Sequence, residues 1–327
     1  MTRSLLVFIC LLPAVFLPAG SLAQQPTKLP RIGYLSGASS STNVPRREVF
    51  RQGLRELGYV EGKNIVIEYR YGEGKFDLLS VLAAELVRLK VEIILTAGPG
   101  PTRAAKAATS TIPIVMAQDS DPVADGFVAS LARPGGNITG LSTFAPELGG
   151  KRLEILREVV PKLVSVGVLG NSNFPGNAPA MREMELAAKV FKVQLQYLDV
   201  RGPEDIGTAF RVASKGRADA VLTLTSAILS TQRAQIIELA VKNRLPAMYH
   251  NSQFVEAGGL MAYSANLTDL FHRSATYVDK ILKGTKPADL PVQQPTKFEF
   301  IINLKAAKQI DLTIPPNVLA RADKVIK

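Results

Sequence analysis

Short β-branched runs alternate with longer amphipathic segments along nearly the whole chain, and this alternation constrains the fold more than any other feature. The predicted strands cover 31–36, 64–72, 91–98 and 112–118 in the first half, and 165–173, 193–200, 218–226 and 245–251 in the second. The predicted helices cover 46–57, 76–89, a segment starting at 102, 178–191, 203–214 and 231–243. Such alternation is typical of parallel sheets covered by helices.

The second half repeats the plan of the first at a nearly constant spacing. The strand positions Ile32, Ile65, Ile93 and Ile114 are followed 136, 128, 128 and 133 residues later by Val168, Val193, Val221 and Ala247. This spacing is far too long for a solenoid, and a chain of 327 residues is long enough for two domains. We therefore predict an α/β protein with two similar lobes, each a mostly parallel sheet flanked by helices.

The first 23 residues have the composition of a secretory signal. Arg3 precedes the apolar run "SLLVFICLLPAVFL", and a small-residue pattern ends at Ala23. The alternative is a membrane anchor, but prolines interrupt the run and it is short for a span of about 20 residues. We expect cleavage after Ala23 and export, to the periplasm if the source is a Gram-negative bacterium.

Cys10 is the only cysteine in the chain, and it lies inside that apolar run after Phe8 and Ile9. A lipid-modified cysteine would instead follow small residues at the end of the signal. We therefore expect no lipid anchor. The processed chain would have no disulfide, no thiolate nucleophile and no cysteine metal site.

The formal net charge of +11 comes from basic residues that are interleaved with acidic ones. Because no Lys/Arg-rich block occurs, we expect no nucleic-acid partner. Arg47, Arg51 and Arg55 fall on one face of the first predicted helix. A solvated face is the simpler interpretation of this stripe, and docking to a partner or an anionic membrane is the alternative.

Small hydroxyls, amides and glycines gather where the predicted strands end, and ligands of open α/β sheets bind outside these carboxyl ends. The candidate ligand-binding residues are Ser36, Gly37, Ser39, Ser40, Gly98, Pro99, Thr102, Asp119, Asn171, Asn173, Thr225, Ser226, His250 and Asn251. The alternative is that such residues simply populate loops and helix caps. Because the pattern occurs in both lobes, we predict a cleft for a small polar ligand.

The loop "GPGPT" at 98–102 has the outline of a phosphate-binding turn but lacks its residues. It has no P-loop lysine at the required spacing, and Arg103 stands where a dinucleotide motif needs its third glycine. Two prolines also remove amide donors. We predict that this loop contacts a ligand carboxylate or similar acceptor, with the Thr102 hydroxyl near the positive end of the following helix.

Catalytic and metal-binding signatures are absent from the sequence, so we expect no cofactor, no metal and no enzymatic activity. His272 is predicted on a helix surface, and His250 ends a strand at the cleft, in a structural role or as a ligand contact. Asp121 precedes a proline and fits a turn or helix cap, whereas Asp119 is the better candidate to meet a ligand amine. The Asn171 loop is the alternative contact for that polar end of the ligand.

Three motifs resemble the ABC-transporter substrate-binding proteins that are grouped with tryptophan- and tyrosine-binding lipoproteins. They are "SDPVADGFVASLARPGGNITGLS" (120–142), "GLRELGYVEGKNIVIEYR" (53–70) and "FVEAGGLMAYSAN" (254–266). The resemblance covers essentially all of the processed chain. It implies the type I periplasmic binding-protein fold, with three crossings between lobes that close over a ligand, and an inner-membrane ABC permease as partner. The lipidation cysteine of some members is missing here.

Combined with the pattern, the resemblance places the three crossings at 135–142, 259–266 and 289–300. Lobe one is then expected to contain 24–140 and about 266–286, and lobe two 141–265 and about 287–327. Short crossings fit a hinge that bends while the lobes keep their mutual orientation.

The leading functional hypothesis is a monomeric, exported receptor that captures an amino acid or an aromatic or carboxylate compound for an ABC importer. The alternatives are a ligand-sensing module for a receptor kinase and an exported hydrolase that uses Asp119 and His250. A DNA-binding repressor is disfavoured because the export signal stands where its DNA-binding motif would be. The aromatic residues Tyr34, Phe144, Phe174, Tyr249 and Tyr263 lie near strand ends or crossings and are candidates to stack on a ligand ring.

The processing hypothesis predicts the amino end of the native protein. Because the signal pattern ends at Ala23, mass spectrometry of the exported protein should find Gln24, free or cyclised, as the first residue and no attached lipid. A mature product that still contains Cys10 would contradict this prediction.

Overall fold

The computed structural model describes residues 29–119, 121–143, 148–174 and 176–327. The predicted signal segment, Cys10 and Phe144 lie outside these described residues. Within them, no helix has the length and apolar character needed to cross a bilayer.

Two sheets organise the chain, and the first contains five parallel strands in the order β2-β1-β3-β4-β5. These strands are β1 (Arg31–Ser36), β2 (Val66–Tyr71), β3 (Ile93–Ala97), β4 (Ile114–Gln118) and β5 (Ile138–Gly140). They are almost wholly apolar where they are central, as expected for a parallel sheet that is covered on both faces.

The second sheet contains seven strands in the order β12-β11-β10-β9-β8-β6-β7. These are β6 (Ser165–Gly170), β7 (Gln194–Asp199), β8 (Ala220–Thr223), β9 (Ala247–Tyr249), β10 (Met261–Ala265), β11 (Phe298–Asn303) and β12 (Lys324–Ile326). All neighbours are parallel except β10 and β11, which are antiparallel.

Helices follow most strands and cover both faces of each sheet. They are α1 (Ser40–Glu56), α2 (Leu79–Arg88), α3 (Pro99–Ala108), α4 (Leu148–Val159), α5 (Asn177–Phe191), α6 (Asp205–Lys215), α7 (Ala227–Thr231), α8 (Arg233–Lys242), α9 (Ser252–Glu256), α10 (Leu267–Leu282), α11 (Leu304–Gln309) and α12 (Pro316–Leu319). Two short 3-10 helices cover Phe76–Leu78 and Pro287–Asp289.

The prediction of two similar α/β lobes is confirmed by the strand order. The order β2-β1-β3-β4 in the first sheet is repeated as β7-β6-β8-β9 in the second. Each sheet separates two apolar clusters, one on each face. One of them packs α10 against α1 and β1 through Phe271, Leu270 and Phe50, so α10 belongs to the first lobe although it follows a strand of the second.

Two helices begin earlier than the sequence predicts, and both differences involve proline. The helix expected from residue 46 begins at Ser40 and contains Pro45. Its amino end is held by Ser39, whose side chain accepts a backbone N–H and whose carbonyl accepts the Asn43 side chain at 2.8 Å. The helix expected from residue 102 begins at Pro99, where a missing N–H costs no intrahelical bond.

The chain passes between the lobes three times, at places that overlap the three predicted segments. The segment 135–142 contains β5, which pairs with β4 in the first sheet, and 259–266 and 289–300 contain residues of β10 and β11. Strand pairing extends into these segments because their backbone polar groups need partners. The passages therefore lie after β5, between β10 and α10, and between α10 and β11.

Gly140 lies at the first of these passages in a conformation that only glycine adopts easily. Its φ is +132°, and a Cβ at this position would lie 2.3 Å from the carbonyl oxygen of Met116. Met116 is also its partner in the β4–β5 register. A side chain here would therefore strain the backbone and push the edge strand away from the sheet.

We predict that Gly140→Ala lowers the free energy of unfolding by about 2–4 kcal/mol because strain and a backbone clash add together. Urea denaturation followed by circular dichroism measures this change. Gly136→Ala is the matched control, since a Cβ there meets nothing within 4 Å and its φ is not positive. Equal stabilities of the two variants would contradict the prediction.

Candidate functional site

The loop after β1 is ordered by hydrogen bonds at the start of α1. Ser39 caps this helix by accepting a first-turn backbone N–H at 3.2 Å. The backbone N–H of Ser40 donates to the carboxylate of Glu73, which follows β2, at 2.8 Å. Ser36 is buried, whereas Ser40 is exposed. The sequence-predicted residues of this loop thus lie together at one end of the sheet, and Glu73 joins them.

The loop at 98–102 is held to its own strand by Thr102. Gly98 precedes α3 with a φ of +106°, and Pro99 is the first helical residue. Thr102 is fully buried, its hydroxyl lies 2.8 Å from that of Thr96, and it donates to the Gly98 carbonyl at 3.0 Å. The hydroxyl of Thr102 thus holds the loop to β3. A ligand contact by Gly98, Pro99 and Thr102 stays a prediction.

The acidic pair after β4 divides into two roles. Asp121 accepts the Ala124 backbone N–H through its carboxylate at 3.1 Å, which confirms the predicted turn role. Asp119 is buried, and its backbone carbonyl accepts both the N–H and the hydroxyl of Thr143, at 2.6 and 2.9 Å. Asp119 therefore anchors the segment that leaves the first lobe, and its contact with a ligand amine stays a prediction.

In the second lobe, Asn177 connects two of the predicted loops, although the sequence analysis did not select it. Its side-chain oxygen accepts the Asn171 N–H at 2.7 Å, and its amide donates to the Thr225 carbonyl at 2.7 Å. Asn171 in turn accepts the backbone N–H of Asn173 at 2.8 Å, so its loop forms an Asx turn. Asn177 is buried, whereas Asn173 is exposed. The only feature of the sequence that could have indicated Asn177 is its position, one residue before the predicted start of the helix at 178.

His250 is the centre of a buried network in the same lobe. Its Nδ1 lies 2.9 Å from the Thr223 hydroxyl, and its Nε2 lies 3.1 Å from the Ser230 hydroxyl and 3.0 Å from the Asn251 amide. Its backbone carbonyl accepts the Arg152 guanidinium at 3.2 Å. Both ring nitrogens thus have partners inside the lobe, which favours the structural role over direct ligand contact.

Burial sets the charge of this imidazole. Desolvation, with a smaller contribution from the nearby Arg152 guanidinium, lowers the pKa of His250 to about 3. The ring is therefore neutral at neutral pH and donates through one nitrogen only. Ser226 and Asn251 serve beside it as the N-caps of α7 and α9. His272 lies on the surface of α10, as predicted, and its Nε2 lies 2.9 Å from the Glu56 carboxylate.

Most of the aromatic candidates are packing residues. Tyr34 is fully buried and stacks on Phe271, and Tyr249 is almost fully buried with its ring 4.5 Å from that of Phe254. Neither has a face available to a ligand, which corrects the expectation for these two. Phe174 and Tyr263 are partly exposed, so stacking by either of them stays a prediction.

The arginine stripe on α1 is less solvated than predicted. The Arg47 guanidinium lies over the Tyr69 ring at 5.4 Å, and Arg51 pairs with Glu61 at 2.7 Å. Only Arg55 of the three is exposed. The Tyr69 ring from the edge strand β2 and the Glu61 carboxylate from the segment before it reach this face of the helix, which the sequence pattern of α1 alone did not indicate.

One ion pair joins an element of each lobe. Arg46 on α1 lies 3.3 Å from Glu256 on α9, with side-chain exposures of 13% and 48%. The first helix packs on the first sheet and the second contacts β9, β10 and β11 of the second sheet. The pair therefore depends on how the two lobes are arranged.

Together these residues form two sets of hydrogen-bonding groups and backbone amides at the carboxyl ends of two sister sheets, and the set of the first lobe includes carboxylates. Among the described residues, no three His, Cys, Asp or Glu side chains converge as metal ligands would. Such an arrangement suits noncovalent capture of a small polar molecule between the lobes. The fold and site thus define a two-lobed solute-binding protein.

Comparison with known proteins assigns the family. The family model described as ABC transporter substrate binding protein matches residues 39–326, which is nearly the whole described chain. The protein therefore belongs to the ABC-transporter substrate-binding protein family, as its sequence motifs predict.

Individual relatives agree with this assignment. A tyrosine-binding protein of Clostridioides difficile (strain R20291) is 25% identical over 263 residues, which are 80% of this chain and 75% of the relative. A Streptococcus pneumonia ABC domain solved in complex with L-Trp has a TM-score of 0.76 at 24% identity, covering 91% of this chain and all of that one. A periplasmic binding protein of Burkholderia mallei shares the type I fold at a TM-score of 0.54 and 13% identity, covering 80% of each chain.

The role of Asn177 leads to a stability prediction. Asn177→Ala leaves one buried N–H and one carbonyl without their partner, so the free energy of unfolding should fall by about 2–4 kcal/mol. Asn173→Ala is the matched control and should change it by less than about 0.5 kcal/mol, because that side chain is exposed. Urea denaturation of both variants decides the matter, and comparable stabilities would refute the bridging role.

Proposed function

We propose that this protein is an exported receptor that captures an amino acid or a related aromatic or carboxylate compound between its lobes and delivers it to an inner-membrane ABC permease. The observation that carries the proposal is the family match across residues 39–326, which includes the whole second sheet and every strand of the first sheet except β1. The name and description of two relatives mention tyrosine and L-Trp, which supports an amino-acid-like ligand.

The lobes of this receptor contain residues 24–140 with about 266–286, and residues 141–265 with about 287–327. Binding free energy stabilises the closed arrangement, and the permease recognises closure. The three passages between the sheets support this hinge, since each is short and flanked by a strand that is fixed in its own sheet. The receptor acts as a monomer after cleavage at Ala23, in the periplasm and without a lipid anchor.

The receptor performs no chemistry on its ligand. A hydrolase that used Asp119 and His250 would need an imidazole free to accept a proton from a nucleophile. Burial lowers the pKa of His250 to about 3, which makes its imidazole a weak base, and both of its ring nitrogens have partners in its own lobe. No contact of the described residues favours the hydrolase over the receptor.

We predict that the processed protein binds at least one amino acid and closes on it. A thermal-shift screen against the twenty amino acids, aromatic acids and sugars identifies the ligand, since about 100 Kd of ligand adds about 2.7 kcal/mol of stability. Small-angle scattering should then show a smaller radius of gyration with the ligand than without it. ATP is the negative control, because the loop at 98–102 has no phosphate-binding lysine.

Two outcomes would contradict the proposal. If no amino acid, aromatic acid or related carboxylate binds, the ligand class is wrong. If a ligand binds with measured affinity but the scattering curve does not change, the closing hinge is wrong.

A further inference from the structure

Phe76 is the most exposed aromatic residue among those that the structure describes, at 49%. It begins the short 3-10 helix Phe76–Leu78, which connects β2 to α2. The sequence pattern of this segment predicted an amphipathic helix, and Leu79, Ala83 and Leu86 do form its buried face. Phe76 precedes that helix and is left at the surface. A large exposed ring is unfavourable in water unless something covers it.

The position of the ring relates it to two loops of the cleft. A Cβ added to Gly37 would lie 3.0 Å from Cε1 of Phe76, and one added to Gly100 would lie 3.2 Å from its Cδ1. Gly37 directly follows β1, and Gly100 lies in the first turn of α3 after β3. Because β1 and β3 are neighbours in the sheet, the ring rests against the carboxyl ends of two adjacent strands.

The two glycines have a common effect. Neither position carries a side chain, so the ring lies close against the backbone of both loops and the rest of it stays open to solvent. A side chain at either glycine would displace the ring from this place. The ring is thus held at the edge of the cleft by backbone on one side, and its open side is where a ligand bound at these strand ends would lie.

Two of the other aromatic candidates of the cleft do not offer such a surface. Tyr34 and Tyr249 are buried in the apolar clusters of their lobes. A flat ring that lies on backbone binds another flat ring more favourably than an aliphatic group. An aromatic ligand gains the free energy of offset stacking in addition to that of the buried area, whereas a branched aliphatic ligand gains only the free energy of the buried area.

We propose that Phe76 is the specificity-determining residue of the first lobe and stacks on the aromatic ring of the ligand. The inference rests on the proposed function, which supplies an amino-acid-like ligand, and it narrows that class to ligands with an aromatic ring. Phe76 is then the contact that separates tryptophan and tyrosine from aliphatic amino acids.

The test measures the affinities of L-tryptophan, L-tyrosine and L-leucine by calorimetry for the processed protein and for three variants. Wild type should bind an aromatic amino acid more tightly than L-leucine. Phe76→Ala should weaken binding of that aromatic amino acid about tenfold and change any L-leucine affinity less than about twofold. Phe76→Tyr keeps the ring and should stay within about threefold of wild type.

Leu78→Ala is the matched control, because Leu78 lies in the same 3-10 helix and is 39% exposed. It should leave all three affinities within about twofold. Gly100→Ala gives a second readout that keeps the phenyl ring, since the new methyl group displaces Phe76. It should weaken aromatic binding by a factor between those of Phe76→Tyr and Phe76→Ala. Circular dichroism confirms that each variant is folded.

The outcomes separate this inference from the proposed function. If wild type binds an aromatic amino acid and Phe76→Ala binds it equally well, the role of Phe76 is wrong and the receptor proposal stands. An equal loss for aromatic and aliphatic ligands also overturns it, because that result indicates a general structural effect. If wild type binds none of the three amino acids, the aromatic ligand class is wrong, and the wider ligand screen judges the receptor proposal.

Discussion

The cleft depends on one constraint, which is that a parallel sheet must bury both of its faces. Helices cover both faces of each sheet. The central strands are therefore apolar along their length, and polar side chains lie where the strands end. Because all parallel strands end at the same edge, each lobe presents one polar edge. Two sister lobes then supply two such edges, and the proposed function places the ligand between them.

Within each lobe, the polar edge is held by hydrogen bonds that leave little freedom. Thr102 fixes the loop after β3 to Thr96, and Asn177 ties the loops after β6 and β8 to each other. His250, neutral because it is buried, occupies both of its ring nitrogens inside the second lobe. Such loops are rigid parts of their lobes. In the proposed receptor, a change of shape on binding is therefore expected at the three passages between the sheets and not inside either lobe.

The sequence predicted the architecture well because it depends on local periodicity. Apolar runs revealed all eight strands of the repeated plan, and the strand order confirmed their pairing in two lobes. The orientation of single side chains was not predictable, because it is decided by partners distant in the chain. Ser230 and Thr223 determine what His250 does, and Gly37 and Gly100 determine where Phe76 lies. The predicted start of α1 at residue 46 was six residues late, because the hydrogen bonds of Ser39 and Asn43 that hold its first turn become visible only in three dimensions.

The magnitude of the Arg46–Glu256 ion pair shows how little this contact between the lobes contributes to their arrangement. Arg46 and Glu256 lie 3.3 Å apart, but the carboxylate is about half exposed, and pairs of this kind contribute only about 0–1 kcal/mol. A contribution of about 1 kcal/mol changes the equilibrium constant between open and closed arrangements by a factor of about five at most. A ligand that binds one arrangement about 10⁴-fold more tightly is needed to move the population from nearly all open to nearly all closed. In the proposed receptor, closure would therefore come from ligand contacts at the two polar edges and not from this ion pair.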